Sequence, residues 1–183
     1  MIKKETISNR LNLLDFFKDM NNYVIIRLDE NFPSYKYNDD VDILCSDPNE
    51  IIEHIKKVGN KLYNDFNITI NNGSGGKSHF HVNFYYKNEN IEDFCFDIIS
   101  NLSDFYKKLD LPKNYINEIL KTKKLNELNL YVPNLCYELE LRYMEYITKI
   151  DRKPAKIKHL KFIEKYPDTE FKKYQKKNKL IYA

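Results

Sequence analysis

The chain has no tryptophan and only three cysteines in 183 residues. Cys45, Cys95 and Cys136 stand far apart in apolar surroundings. An odd number without paired spacing argues against a disulfide framework or a zinc site, and reads as buried free thiols in a reducing compartment. Long apolar runs are missing too. No segment approaches the ~18 residues of a membrane span, and Met1-Ile2-Lys3-Lys4-Glu5 leads into an amphipathic stretch without the apolar core of a signal peptide. The expectation is a cytoplasmic protein with no membrane partner. Nor is there a strong charge of one sign. A net charge of +3 with 31% charged residues describes an ordinary solvated surface. Positive charge does gather late in the chain, from Lys149 to Lys165 and again over Lys172 to Lys179. Such a cluster suits an anionic partner (nucleotide phosphates, nucleic acid, lipid headgroups), and a solvated basic helix face accounts for the final stretch equally well.

The length suits one domain, or a core with a helical appendage. Ile7, Leu11, Leu14 and Phe17 recur at helical spacing, which predicts a first helix over residues 6–20. Tyr23 to Ile26 reads as a short buried strand ending at Arg27, followed by a polar loop through Pro33 and a strand carrying Asp40 and Asp42. Asp47-Pro48-Asn49-Glu50 is a helix start: an N-cap, proline at the first helical position, and glutamate three residues past the cap. Alternation then predicts strands at 66–70, 79–86 and 94–99. After about residue 100 strand signals stop, and helices are expected from Pro133 and from Pro154, with a last basic segment after Pro167. The fold class expected is α/β (α+β): a mixed sheet core over residues 1–105 and a C-terminal helical region with a basic tail over 106–183.

Asp40-Val41-Asp42 leads into the apolar run Ile43-Leu44-Cys45. Side chains alternate along a strand, so Asp40 and Asp42 share a face. Two like charges side by side each raise the cost of ionising the other, and a cation between them removes that cost. Mg²⁺ (or Mn²⁺) is the natural choice, because it takes carboxylate oxygens and then substrate phosphates. Asp97 lies in a later strand, and if the two strands are neighbours, three carboxylates converge. The plain alternative is that Asp39, Asp40 and Asp42 are turn residues at the start of a strand.

The order helix, strand, loop, strand with a paired-Asp pattern, helix, and a third carboxylate on a later strand resembles the nucleotidyltransferase superfamily of polymerase-beta-like enzymes. Asp40 and Asp42 match its paired carboxylates and Asp97 its third. Tyr23 to Arg27 resembles a branch in which an arginine ends the first strand. Arg152 to His159 resembles that branch's basic Lys-His segment. The resemblance implies catalytic and metal-holding roles for Asp40, Asp42 and Asp97. It implies phosphate contacts from Arg27, Lys156, Lys158 and His159, with a nucleoside triphosphate as partner and an acceptor hydroxyl of unidentified kind. One departure stands out. The superfamily usually carries a Gly-Ser or Gly-Gly pair after the first strand, and here Arg27-Leu28 occupies that place. An inactive binding or regulatory module of the same fold, or an RNA-binding protein using the basic C-terminal region, are the rival readings.

Three further features have two readings each. Gly73, Gly75, Gly76, Lys77 and Ser78 nearly spell a phosphate-binding loop, but a strand follows where that motif needs a helix N-terminus, so a strand-to-strand connection is preferred. His79 and His81 share a strand face and either line a cleft or ligate a metal, with no obvious further ligands. Arg142 sits among Glu138, Glu140 and Glu145, and either pairs internally or faces the phosphates.

Overall fold

The computed structural model describes residues 7–89, 91–106 and 109–166. The basic tail beyond Pro167, to which the RNA-binding reading is attached, lies outside the described residues. A short pair of strands, β1 (Ile7–Ser8) and β3 (Tyr35–Lys36), sits beside a five-stranded mixed sheet. That sheet is built from β2 (Tyr23–Ile26), β4 (Asp39–Cys45), β5 (Phe66–Asn72), β6 (His79–Tyr86) and β7 (Ile91–Ile99). Its spatial order is β2-β4-β7-β6-β5, with β4 and β7 parallel and the other pairs antiparallel. The parallel step is made possible by α1 (Pro48–Leu62), which crosses over between β4 and β5. Asp47 caps α1 as its sequence requires, its carboxylate accepting from the Asn49 and Glu50 amides.

Alternation along the strands divides the sheet into two faces. One face carries Ile25, Ile43, Phe84, Phe94 and Phe96 against α1 and a 3-10 turn at Leu13–Phe17. Phe16 is central there, its ring 5.2 Å from that of Phe84 and 5.0 Å from that of Phe96. Each such side chain, fully buried, contributes about 1.5–3 kcal/mol of apolar burial. The other face carries Val24, Ile26, Leu44 and Ile99. It is covered by α2 (Leu102–Phe105), α3 (Tyr115–Lys121) and α4 (Leu135–Lys149) through Leu102, Ile116, Ile119, Leu141 and Met144. A 3-10 turn at Pro154–Lys156 then leads into α5 (Ile157–Glu164), which packs on α4.

The mixed α/β core with a C-terminal helical region is the expected architecture, with three local corrections. The first helix is absent: Ile7 is in β1 and 59% exposed, and only Leu13–Phe17 is helical, as a 3-10 turn. Leu13 and Phe16, which the periodic reading passed over, are the fully buried residues. A small hairpin of β8 (Lys124–Leu125) and β9 (Tyr131–Val132) stands where no strand was expected. Asn134, rather than Pro133, starts α4, accepting from the Tyr137 amide.

Candidate functional site

The register places the carboxylates. Asp42 on β4 stands opposite Asp97 on β7, and Asp97 stands opposite His81 on β6. One row down, Asp40 faces Cys95, which faces Asn83. The two strands are thus direct neighbours, and all three carboxylates point to the same face. At the start of β4, beside the segment that follows β2, opens a cleft of about 640 Å³. Asp40 and Asp42 line it on one side; Arg27, Lys156, Lys158 and His159 line it on another. Asp97 lies one strand further in and is nearly buried. Arg142 stands behind the wall.

Arg27 follows directly on β2 and has φ of 56°, the left-handed region that side chains other than glycine rarely adopt. Such a backbone costs about 1–2 kcal/mol. Arg27 thus keeps a glycine-like backbone while carrying a long cationic side chain. Tertiary contacts hold it. The Arg27 amide donates to Glu138 Oε2 at 3.3 Å. One guanidinium nitrogen lies 2.7 Å from Asp42 Oδ2, and the other 2.8 Å from Glu145 Oε2 while also donating to the Tyr106 hydroxyl.

Glu145 is the hub of this network and sequence reasoning missed it. Its carboxylate is buried on α4 yet meets Arg27, Lys149 at 2.9 Å and Lys156 at 2.6 Å. Burial opposes ionisation, but Arg27, Lys149 and Lys156 outweigh it and hold Glu145 well below the usual carboxylate range. No spacing rule links residues 27 and 145; only Lys149, at i+4, was legible.

Asp40 behaves oppositely. The surrounding protein bulk, then the like charges of Asp42 and Asp97, push its carboxyl up to about 6. The residue is open to solvent at the cleft mouth, so its neighbouring charges, more than burial, are the physical reason. Asp97 moves down: burial alone would raise it, and His79 and His81 overcome that. His159 is buried, and that burial, together with Arg27, Lys156 and Arg142, drives its imidazole down to about 3. It is neutral at pH 7, and its Nε2 has no hydrogen-bond partner among the described residues. Arg142 pairs with Glu138 Oε1 at 2.5 Å, donates to the Leu28 carbonyl and lies over the Phe162 ring. The internal pairing weighed for it is the arrangement observed, with Glu138.

No protein-family profile matches the sequence, and no curated protein matches it. Two solved structures are similar. One is JHP933 from Helicobacter pylori, at 13% identity and TM-score 0.41, covering 72% of this chain and 51% of that one. The other is a nucleotidyltransferase candidate from H. pylori, at 13% identity and TM-score 0.43, covering 93% of this chain and 80% of that one. The chain therefore spans about half the length of JHP933.

The Gly-rich segment resolves as a strand connection. It ends in a 3-10 turn at Gly76–Ser78 and runs straight into β6, so no helix N-terminus is available for a phosphate. Its glycines serve His79 instead. A Cβ on Gly73 would lie 2.2 Å from His79 Nδ1. His79 and His81 do have a third potential ligand, Asp97. Sequence spacing could not reveal it, because β7 becomes the neighbour of β6 only in the folded sheet. Among the described residues no helix is long and apolar enough to cross a membrane.

Proposed function

We propose that this chain is a metal-dependent nucleotidyltransferase that moves a nucleoside monophosphate from a nucleoside triphosphate to an acceptor hydroxyl. The observation that carries the reading is the cleft itself, with Asp40 and Asp42 on one wall, Lys156, Lys158 and His159 on another, and Asp97 alongside Asp42. The donor set fits Mg²⁺ or Mn²⁺: clustered carboxylate oxygens whose mutual repulsion a divalent ion relieves. Asp40, Asp42 and Asp97 would hold that ion, which when bound polarises the transferred phosphate and neutralises developing charge.

The remaining work falls to the chain's own side chains. Lys158, exposed at the cleft, and Lys156 supply positive charge to the triphosphate. Arg27, if it turns from Asp42, offers a planar fork for phosphate oxygens. His159, being neutral, contributes a hydrogen bond through its unpartnered Nε2 rather than a charge. The acceptor oxygen attacks the α-phosphorus in line, the bond to pyrophosphate breaks, and Asp40 is placed to take the acceptor's proton. Arg142 supports this wall from behind, through Leu28 and His159.

A second reading has its own observation. The Arg27 guanidinium, 2.7 Å from Asp42, already neutralises one carboxylate, as expected of a non-catalytic binding module that needs no ion. Calorimetry with nucleoside triphosphates, with and without Mg²⁺ or Mn²⁺, separates the two. The enzyme reading expects metal-dependent binding that Asp42→Ala abolishes, and release of pyrophosphate once a hydroxyl acceptor is supplied. Metal-independent binding that survives Asp42→Ala supports the module. Binding of neither nucleotide nor ion refutes the active-site reading.

A further inference from the structure

We propose that His79, His81 and Asp97 form a second metal site, sharing Asp97 with the carboxylate pair, for a borderline transition-metal ion of the Zn²⁺ class rather than the Mg²⁺ class. His79 and His81 open β6 and, two residues apart, project from the same face. The antiparallel register then sets Asp97 directly opposite His81. One ligand atom from each of the three residues can be chosen so that all lie within 4.8 Å of one another.

The distances distinguish two kinds of contact. His81 Nδ1 is 2.5 Å from Asp97 Oδ1, a direct charge-assisted contact. His79 Nε2 is 3.6 Å from Asp97 Oδ2, too long for a hydrogen bond, and it has no other partner among the described residues although the ring is almost wholly buried. A buried ring nitrogen left unmet gives up its hydration with nothing in return. Two ligands at 2.0–2.1 Å from a tetrahedral ion are separated by roughly 3.4 Å, close to the gap seen here. An ion between His79 and Asp97 would satisfy both. His81, a third exposed at its side chain, has room to turn its ring toward the same point.

The ligand chemistry selects the ion. Two imidazoles and one carboxylate suit Zn²⁺, Co²⁺, Ni²⁺ or Fe²⁺, whereas Mg²⁺ prefers oxygen donors and retains its waters. Three protein ligands leave a fourth position open. The Cys95 thiol borders it, 3.7 Å from His81 Nδ1 and 3.5 Å from Asp97 Oδ1. His79 is also held in place. Gly73 lies against its ring where any side chain would collide, and the Phe105 ring packs edge-on with centroids 5.1 Å apart. This clamp gives the Gly-rich loop a purpose that a phosphate does not.

The proposal stands on the two histidines and does not require nucleotidyl transfer, although Asp97 belongs to both sites. The full chain is titrated with Co²⁺, whose visible absorption reports nitrogen coordination. One equivalent per chain is expected, displaced by Zn²⁺ and not by excess Mg²⁺. His81→Gln and His79→Gln should each weaken binding by more than the ~10–100-fold that loss of a mere supporting contact causes. Asp40→Asn should leave it unchanged. If His79→Gln fails to fold, the more exposed His81→Gln decides alone. Absence of the absorption at one equivalent overturns the proposal. So does wild-type affinity in His81→Gln, or a signal lost in Asp40→Asn but kept in the histidine variants, which would put the ion at the carboxylate pair instead.

Discussion

Glu145→Gln is the sharpest test of how the cleft wall is built. The substitution keeps shape and removes one charge from a buried meeting point of Arg27, Lys149 and Lys156. Removing one partner of a buried pair costs about 3–5 kcal/mol. Arg27 keeps Asp42, and both lysines are about a quarter exposed and can reach water, so the lower end applies, ~3 kcal/mol. With a urea slope of ~2 kcal/mol per molar, the unfolding midpoint should fall by about 1.5 M. The pH dependence supplies a second arm. Glu145 lies well below its ordinary value of 4.5 in the folded state, so as pH falls the unfolded chain takes up the proton first. The stabilisation is complete above pH 4.5 and is lost as pH drops toward the folded value. The gap between wild type and variant should hold constant from pH 5 to 8 and narrow by roughly 2 kcal/mol by pH 3. A loss under ~1 kcal/mol at neutral pH, or a gap unchanged at pH 3, would refute the account of Glu145 as a buried anion held by three cations.

Three other outcomes are expected. Asp93→Ala should destabilise the fold by about 2–4 kcal/mol in the same urea assay, since it leaves the buried Tyr35 and Ser8 hydroxyls, now 2.5 Å and 3.1 Å from its carboxylate, without their acceptor. Gly73→Ala should cost ~1–3 kcal/mol in thermal unfolding, because the new methyl must displace the His79 ring; an unchanged melting temperature would mean that the loop does not clamp the histidine. Asp47→Ala should cost ~1 kcal/mol through loss of the α1 cap, and Asp47→Asn should recover most of it.

Much of the sheet was legible because each strand carries its own signal. β2, β4, β6 and β7 are short apolar or alternating runs, and α1 announces its start with Asp47-Pro48. The first helix misled because Ile7, Leu11, Leu14 and Phe17 fall at helical spacing, while the core takes Leu11 from an extended segment and Leu13, Phe16 and Phe17 from a single tight turn. The β8–β9 hairpin has two residues per strand, too few for any period to register. Within the site, Asp40 and Asp42 were visible together because they are two residues apart. Asp97 and His81 were visible as residues, but their meeting with Asp42 and with each other is set by strand order, and Glu145 reaches Arg27 by helix docking; neither leaves a mark in local sequence. The left-handed backbone at Arg27 was invisible too, since arginine is a poor guide to such a conformation.

The parallel pairing of β4 and β7 has a consequence for how faithfully the protein folds. Asp42 meets Asp97 only in one alignment, and a slip of a single residue turns every side chain of β7 over. Asp97 would then be driven among Phe16, Phe84 and the rest of the aromatic layer, while Phe96 would be thrust into the cleft. An ionised carboxylate buried without a partner is far costlier than a lost apolar contact, so the misaligned chain is discriminated against at the residue that stands beside Asp42. The acidic row thus acts as a proofreading mark: a chain that has assembled it has also assembled its core.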